Sequence, residues 1–399
     1  MSTTSVIKSV FTRSAIIKLV LGWGSFVALT VAGGALNGAL STPVLFTVLA
    51  AIVAVILAAA SGVVTEAEHL AEKLGDPYGT LVLTLSIVLI EVILISAVML
   101  GPGEHATIAR DSVMAVAMII LNLVIGTALL VGGFKHRDMR PNKSGVSAYL
   151  SLLVALITVA FALPALIGDD GAYTPAQAIP IIALTVVLYA FFLARQMGAQ
   201  RADFQEVVAV ADQRAGAALT GVPANPQLGA EQLTPDAQTS QLADALANHK
   251  PELIARGLLL VAMVVPIVLL SHDMAALLDD GLDRLGAPVA LSGIIIAMIV
   301  FLPETITAIR AALAGEIQRV SNLCHGALVS TVGLTIPAVL TIGLLTGQTV
   351  TLGEGATNLL LLGVSLLLTL TTFFGRRVTA LHGAAHLFVF VLYGITVFQ

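Results

Sequence analysis

Apolar runs of about 20 residues, separated by shorter polar stretches, recur along the whole chain. Eleven can be drawn, at roughly 18–38, 43–61, 80–100, 112–133, 146–167, 175–194, 252–271, 288–312, 321–346, 355–374 and 378–398. A helix of about 20 apolar residues crosses the roughly 30 Å hydrocarbon core of a bilayer. The pattern therefore predicts an all-α polytopic membrane protein with about 11 transmembrane helices. The longest polar stretch, 196–251, is rich in Ala, Gln and Pro and leaves five runs after it and five more, beyond the first, before it. Five is odd, so two homologous units of five helices must insert in opposite directions, a common plan for secondary transporters. The expected organisation is an N-terminal tail and first helix (1–42), a first repeat (43–195), an acidic linker (196–251) and a second, inverted repeat (252–399). Within the linker, 203–218 reads as a short helix and 221–239 as flexible chain.

Charge orients the helices. With the N-terminus placed in the cytoplasm, 17 of the 19 basic residues fall on the cytoplasmic side, and only Arg110 and Arg284 fall outside. The excess of Lys and Arg on inner loops sets topology, and an odd number of spans then puts the C-terminus outside. Lys8, Arg13 and Lys18 precede the first run, which reads as a retained helix rather than a cleaved signal. Hydrophobic residues make up 57% of the chain and charged ones 11%, well below the quarter or so of a soluble domain. A net charge of -5 gives no nucleic-acid surface. The single cysteine, Cys324, excludes an intrachain disulfide and a cysteine metal cluster.

Two acids interrupt this apolar pattern. Glu91 lies near the middle of TLVLTLSIVLIEVILISAVML, residues 80–100, and Glu304 lies inside VALSGIIIAMIVFLPETITAIRAAL, residues 289–313. A carboxylate at the bilayer centre costs about 2.5–3.5 kcal/mol or more, and such residues commonly mark ion or proton paths. Each glutamate sits on the second run of its five-helix unit. Together, ionised, they carry two negative charges, enough for one divalent or two monovalent cations. Empty, they repel each other and are poorly solvated, so they take up protons. Competition of cation and proton for the same oxygens is the chemistry of an antiporter. Thr80 and Thr84 share the Glu91 face of a helix. Ala297, Thr307, Ala308 and Ala311 share that of Glu304. Pro303 removes one backbone donor and frees a carbonyl near Ile299, a suitable oxygen for a hard cation.

LGDPYGTLVLTLSIVLIEVILIS (74–96), FLPETITAIRAAL (301–313), QRVSNLCHGALVSTVGLTIPAV (318–339) and TALHGAAHLFVFVLYGITVF (379–398) resemble bacterial calcium/sodium–proton antiporters of the ChaA type. These are a branch of the cation/calcium exchanger superfamily. The resemblance implies eleven spans in two inverted repeats, a bacterial cytoplasmic membrane, and exchange of Ca²⁺, or Na⁺ and K⁺, for protons. It places Glu91 and Glu304 at the glutamates of the superfamily's Gly-Asn-Ala-x-Glu motifs. The Gly-Asn pairs themselves are absent here, where the residues are Ile87 to Ile90 and Val300 to Pro303. It also puts Asn122 and Ser330 at ligand-lining positions and matches Glu66 to an acid at the cytoplasmic end of the second span.

Glu66 and His69, three apart on one helical face, could form a proton relay. His325, near the expected cytoplasmic mouth, is either a packing residue or a group that titrates near neutral pH. His382 and His386 are spaced i, i+4 but lack a third ligand, so packing or helix-end hydrogen bonding is the expectation. Glu354 falls in an outer loop with no evident partner. The expected partners are inorganic cations, protons and the lipid bilayer, with no nucleotide, no nucleic acid and no cofactor; a homo-oligomer is left open. No phosphate-binding Gly-x-x-x-x-Gly-Lys-Ser/Thr loop is present. The alternatives are an intramembrane enzyme built on the carboxylate pair and a cation channel without proton coupling. The first has no Gly-x-Ser-x-Gly or His-Glu-x-x-His to support it.

Overall fold

The computed structural model describes residues 9–36, 40–74, 106–136, 139–198, 200–205, 235–288 and 290–398, with 85, 86, 88, 89, 91–93, 95, 96 and 99. Within these residues the chain is helical, and β structure is limited to isolated bridges. The helices are α1 (Arg13–Leu36), α2 (Thr42–Leu74), α3 (the helical residues described between 85 and 99), α4 (Ile108–Lys135), α5 (Lys143–Ile167) and α6 (Pro175–Met197). They continue with α7 (Pro235–Arg284), α8 (Ala290–Val300), α9 (Leu302–Ala314), α10 (Ile317–Thr346), α11 (Ala356–Phe374) and α12 (Ala380–Val397). Among the described residues, nine helices are long and apolar enough to cross a membrane. A bent pair, Leu291–Ile299 with Glu304–Ala314, forms a tenth. Part of the expected third span lies outside the described residues, as do Thr80 and Thr84.

The helix ends follow local chemistry. Asn142 caps α5 by accepting the Ser144 amide at 3.2 Å. Thr174 and Gln177 form a capping box at α6, with Pro175 in the first turn where no backbone donor is needed. Gly315 and Gly347 close α9 and α10 with φ of 86° and 72°, a conformation glycine adopts without steric cost. The linker is shorter than its composition suggests, because α7 reaches back to Pro235. Ahead of it, the 3₁₀ turn Arg201–Phe204 is docked rather than solvated. Buried Phe204 packs on Tyr149 and Phe192, and Asn322 Nδ2 donates to the Phe204 carbonyl at 2.6 Å.

Two apolar clusters organise the bundle. One joins α1, α2 and α7 through residues such as Ile52, Ile56, Met263 and Leu270. The larger joins α4, α5 and α6 with α9 to α12. Helix α8 belongs to both, with Ile296 in the first and Ile294 and Ala297 in the second. Helices α4 and α10 are the most deeply buried of the described spans. In lipid, such association rests on close packing and hydrogen bonds rather than on apolar burial from water. Small residues supply that closeness. A Cβ on Gly126 would meet the Leu387 amide and the Gly383 carbonyl at 3.0 and 3.1 Å, so α4 and α12 cross almost backbone to backbone.

The candidate ion site

The span carrying Glu304 is broken where the sequence places Pro303. Helix α8 ends at Val300, α9 starts at Leu302, and the two segments diverge by 58°. Proline lacks a backbone N–H and clashes with the preceding turn, so a helix bends there. Glu304 therefore occupies the first turn of α9, where exposed N–H groups and the helix dipole favour a negative charge. Both of its carboxylate oxygens are buried and have no hydrogen-bond partner among the described residues. Ala308 and Ala311 on the same helix are buried against neighbours, as small residues at a helix contact should be.

Glu91 is buried on α3. Its Oε2 accepts the Thr331 hydroxyl of α10 at 2.5 Å, while Oε1 has no partner. Glu304 lies within electrostatic reach of Glu91. Thr335, one turn beyond Thr331, is fully buried with its hydroxyl oxygen unpartnered. Buried polar atoms are normally satisfied, so a concentration of unsatisfied oxygens calls for a physical reason.

Asn122 lies on α4. It lies in a π-helical turn, Ile119–Val124, which packs against α9 and α10. One-turn π-bulges re-aim side chains and are frequent at functional sites. Its Nδ2 donates to Ser365 Oγ of α11 at 2.8 Å, and its buried Oδ1 is unpartnered. In Ser330, the other residue marked by resemblance, Oγ accepts the Tyr189 hydroxyl of α6 at 3.0 Å. Thr331, which reaches Glu91 instead, was missed, as was the buried, unpartnered hydroxyl of Thr335. Their i, i+4 spacing on one apolar helix was the available signal.

Glu66 is held in a buried ion cluster between α2 and α7. Arg256 Nη1 donates to Glu66 Oε2 at 2.6 Å, and Arg256 Nε donates to Glu252 Oε1 at 3.1 Å. Lys73 and His249 flank Glu252 at 3.7 and 3.8 Å. Neither Arg256 nor Glu252 stands out in the sequence, because both lie near a span end among other charges. His325 lies fully buried on α10, one turn from Ser321, whose Oγ is 2.9 Å from Nδ1. His382 accepts the Thr379 backbone N–H and so caps α12. Glu354, for which the sequence offered no partner, is buried and hydrogen-bonded through one oxygen. It accepts Asn358 Nδ2 at 2.8 Å and the Gly355 amide at 3.1 Å, with Arg110 Nε at 3.9 Å. Burial pushes its carboxyl above the usual range, against the pull of Asn358 and Arg110.

No group of three or more His, Cys, Asp or Glu side chains suited to a resident metal occurs among the described residues. What the described residues offer is two buried carboxylates, one of them held by the Thr331 hydroxyl, and oxygen donors of this kind suit hard cations.

The profile described as "Sodium/calcium exchanger protein" matches residues 44–198 and 256–399. The chain is 33% identical over 333 residues to the Sinorhizobium fredii protein named "Putative ionic transporter y4hA", covering 83% of each. It is 30% identical over 336 residues to the "Sodium-potassium/proton antiporter ChaA" of Escherichia coli, covering 84% of each. Among solved structures it resembles native YfkE, with a TM-score of 0.63 at 18% identity over 96% of this chain and 99% of that one. The H⁺/Ca²⁺ exchanger CAX follows, with a TM-score of 0.61 at 12% identity over 96% and 89%.

Proposed function

The chain belongs to the sodium/calcium exchanger protein family, whose members are membrane transporters and not enzymes, and we propose that it exchanges a hard inorganic cation for protons at Glu91 and Glu304. The observation that carries this reading is the pair of buried carboxylates with three of their four oxygens unpartnered. A cation supplies what those oxygens lack. Without one, protons do. The two occupants exclude each other, so cation release on one side is coupled to proton uptake there.

The supporting ligands are the Asn122 and Thr335 oxygens and the backbone freed at the α8–α9 break. Helix α3 followed by α4, and the α8–α9 pair followed by α10, correspond as the two halves of an inverted repeat. Sidedness follows from the basic residues: the N-terminus is cytoplasmic, the C-terminus is outside, and the membrane is the bacterial inner membrane. Protons entering down their gradient drive the cation out.

Monovalent cargo, Na⁺ or K⁺, is favoured by the likeness to a sodium-potassium/proton antiporter at 30% identity. The donor set points the same way, because Ca²⁺ takes six to eight oxygens. Ca²⁺ is the second reading, favoured by the paired charge. Proteoliposomes holding a pH gradient, given NaCl, KCl or CaCl₂ in turn, test the assignment. Collapse of the gradient by a cation in wild type and its absence in Glu304→Gln support it. Ion flux that leaves the gradient intact would favour a channel.

A further inference from the structure

The first turn of α4 carries a second group of oxygens, gathered round one guanidinium. Arg110 Nε donates to Asp111 Oδ1 at 2.8 Å and lies 3.9 Å from Glu354 Oε1. Its Nη1 donates to the Gly353 carbonyl at 3.3 Å. Two carboxylates and a carbonyl thus face one cation, and one negative charge is left over when both acids are ionised. Glu354 is the buried member. Its side chain is 4% exposed, against 24% for Arg110 and 29% for Asp111. Oε2 accepts the Gly355 amide and Asn358 Nδ2, while Oε1 has no hydrogen bond. A buried carboxylate oxygen without a donor is costly, and a partly exposed guanidinium at 3.9 Å is a weak substitute.

The loop that carries Glu354 is fixed without this carboxyl. The Thr351 amide donates to the Ala106 carbonyl at 2.9 Å, the Gly353 amide to the Gly171 carbonyl at 2.8 Å and the Glu354 amide to the Phe161 carbonyl at 3.2 Å. Gly353 lies so close to Gly171 and Ala165 that a Cβ would meet their backbones at 2.8 and 2.9 Å. Backbone contacts therefore aim the Gly353 carbonyl and set the start of α11, and the fold does not need an acid at 354. The placement also bears on transport. Helices α4 and α11, which frame this cluster, meet again deeper in the bundle, where Asn122 Nδ2 donates to Ser365 Oγ at 2.8 Å. Asn358 and Ser365 are seven residues apart on α11, two turns along one face and about 10.5 Å of rise. The cluster lies at the end of the bundle that the basic residues put outside.

The geometry points to a second cation seat formed by Glu354 Oε1, Asp111 Oδ1 and the Gly353 carbonyl, in which Arg110 is a tethered occupant that a hard inorganic cation displaces. Two carboxylates and a carbonyl, completed by water, are the oxygens such an ion takes. Arg110 is exposed enough for its guanidinium to turn into solvent on its long stem. Both acids then lack a counter-charge, and the ion replaces it. As a station on the side where the cation leaves, the seat rests on the exchange proposed for Glu91 and Glu304. As a binding site it stands on its own residues.

Binding with the central acids removed separates the two. The parent is the Glu91→Gln/Glu304→Gln protein, purified in detergent and shown to be folded by its melting curve, and the probe is radiolabelled Ca²⁺ alone. The parent should bind Ca²⁺ saturably. Adding Arg110→Gln should tighten that binding roughly tenfold or more, because a competitor that holds the seat most of the time is gone. Adding Glu354→Gln to the parent should abolish it. Asp111→Asn should weaken it roughly tenfold and guards against a Glu354 or Arg110 variant that does not fold. Equal binding with and without the Glu354 carboxylate would overturn the seat, and so would affinity unchanged by a folded Arg110→Gln. Absence of binding in both the parent and its folded Arg110→Gln form would overturn it too. Cation/proton exchange retained by the parent in proteoliposomes would instead sink the central reading, whatever the seat binds.

Discussion

Thr331 donates its hydroxyl to Glu91 Oε2 over 2.5 Å and ties α10 to α3 across 240 positions of the chain. The bond fixes one oxygen of the carboxylate and leaves the other without a partner. A hydrogen bond to a charged group contributes about 1.5–3 kcal/mol. Thr331→Val should therefore raise the half-saturating cation concentration by about 10- to 100-fold. Thr331→Ser, which keeps the hydroxyl, should stay close to wild type. Equal behaviour of the two variants would show that the hydroxyl does not serve the site.

Arg256 neutralises two buried acids at once, Glu66 from α2 and Glu252 from its own helix. Removing one member of a buried ion pair strands the other charge and costs about 3–5 kcal/mol. Arg256→Met should lower the melting temperature in detergent far more than Glu66→Gln, which leaves the Arg256–Glu252 bond in place. A double variant, Arg256→Met with Glu66→Gln, should recover part of the loss. If Arg256→Met melts with wild type, the cluster is not holding α2 to α7.

Glu354 is held above its ordinary 4.5, chiefly by burial. The folded chain thus binds this proton more tightly than the unfolded chain does. Its contribution to stability is present below pH 4.5 and is lost as pH rises through the raised folded-state value. Glu354→Gln cannot ionise and escapes that loss. Between pH 4 and pH 8, the melting temperature of the variant should move upward relative to wild type. A pH-independent gap between the two would mean that burial of this carboxyl carries no linkage.

The helical architecture was legible because a bilayer demands long apolar runs, and those runs are hard to mistake. The lost backbone donor at Pro303 was legible for a similarly local reason, while the 58° break that accompanies it was not drawn in the single run at 288–312. Glu91 and Glu304 stood out because charge is rare at such depth. What could not be read was anything set by rotation about a helix axis. Ser330 and Thr331 are adjacent in sequence, yet one meets Tyr189 and the other Glu91. A difference of about 100° between neighbours is invisible until the helix is packed. The π-helical turn at Asn122 shifts that phase again, and no residue in Ile119–Val124 announces it. Its counterpart in α5, Thr158–Ala162, is better marked, since Pro164 cannot donate to the turn before it. There the Phe161 carbonyl accepts the Glu354 amide at 3.2 Å, a contact between segments far apart in sequence. Glu354 looked partnerless because its local partners, Asn358 and Gly355, carry no charge and its one cationic neighbour, Arg110, is long-range.

The central claim is that cation and proton compete for Glu91 and Glu304. Proton release on cation binding tests it most directly, measured with a pH indicator on purified protein in weakly buffered detergent. NaCl, KCl or CaCl₂ added to wild type should release protons in a saturable manner, with the fraction released falling as the starting pH is raised and the carboxyls empty. Glu91→Gln and Glu304→Gln, each shown to be folded by its melting curve, should each lose that release. Cation binding without proton release in wild type, or full release in either variant, would contradict the account.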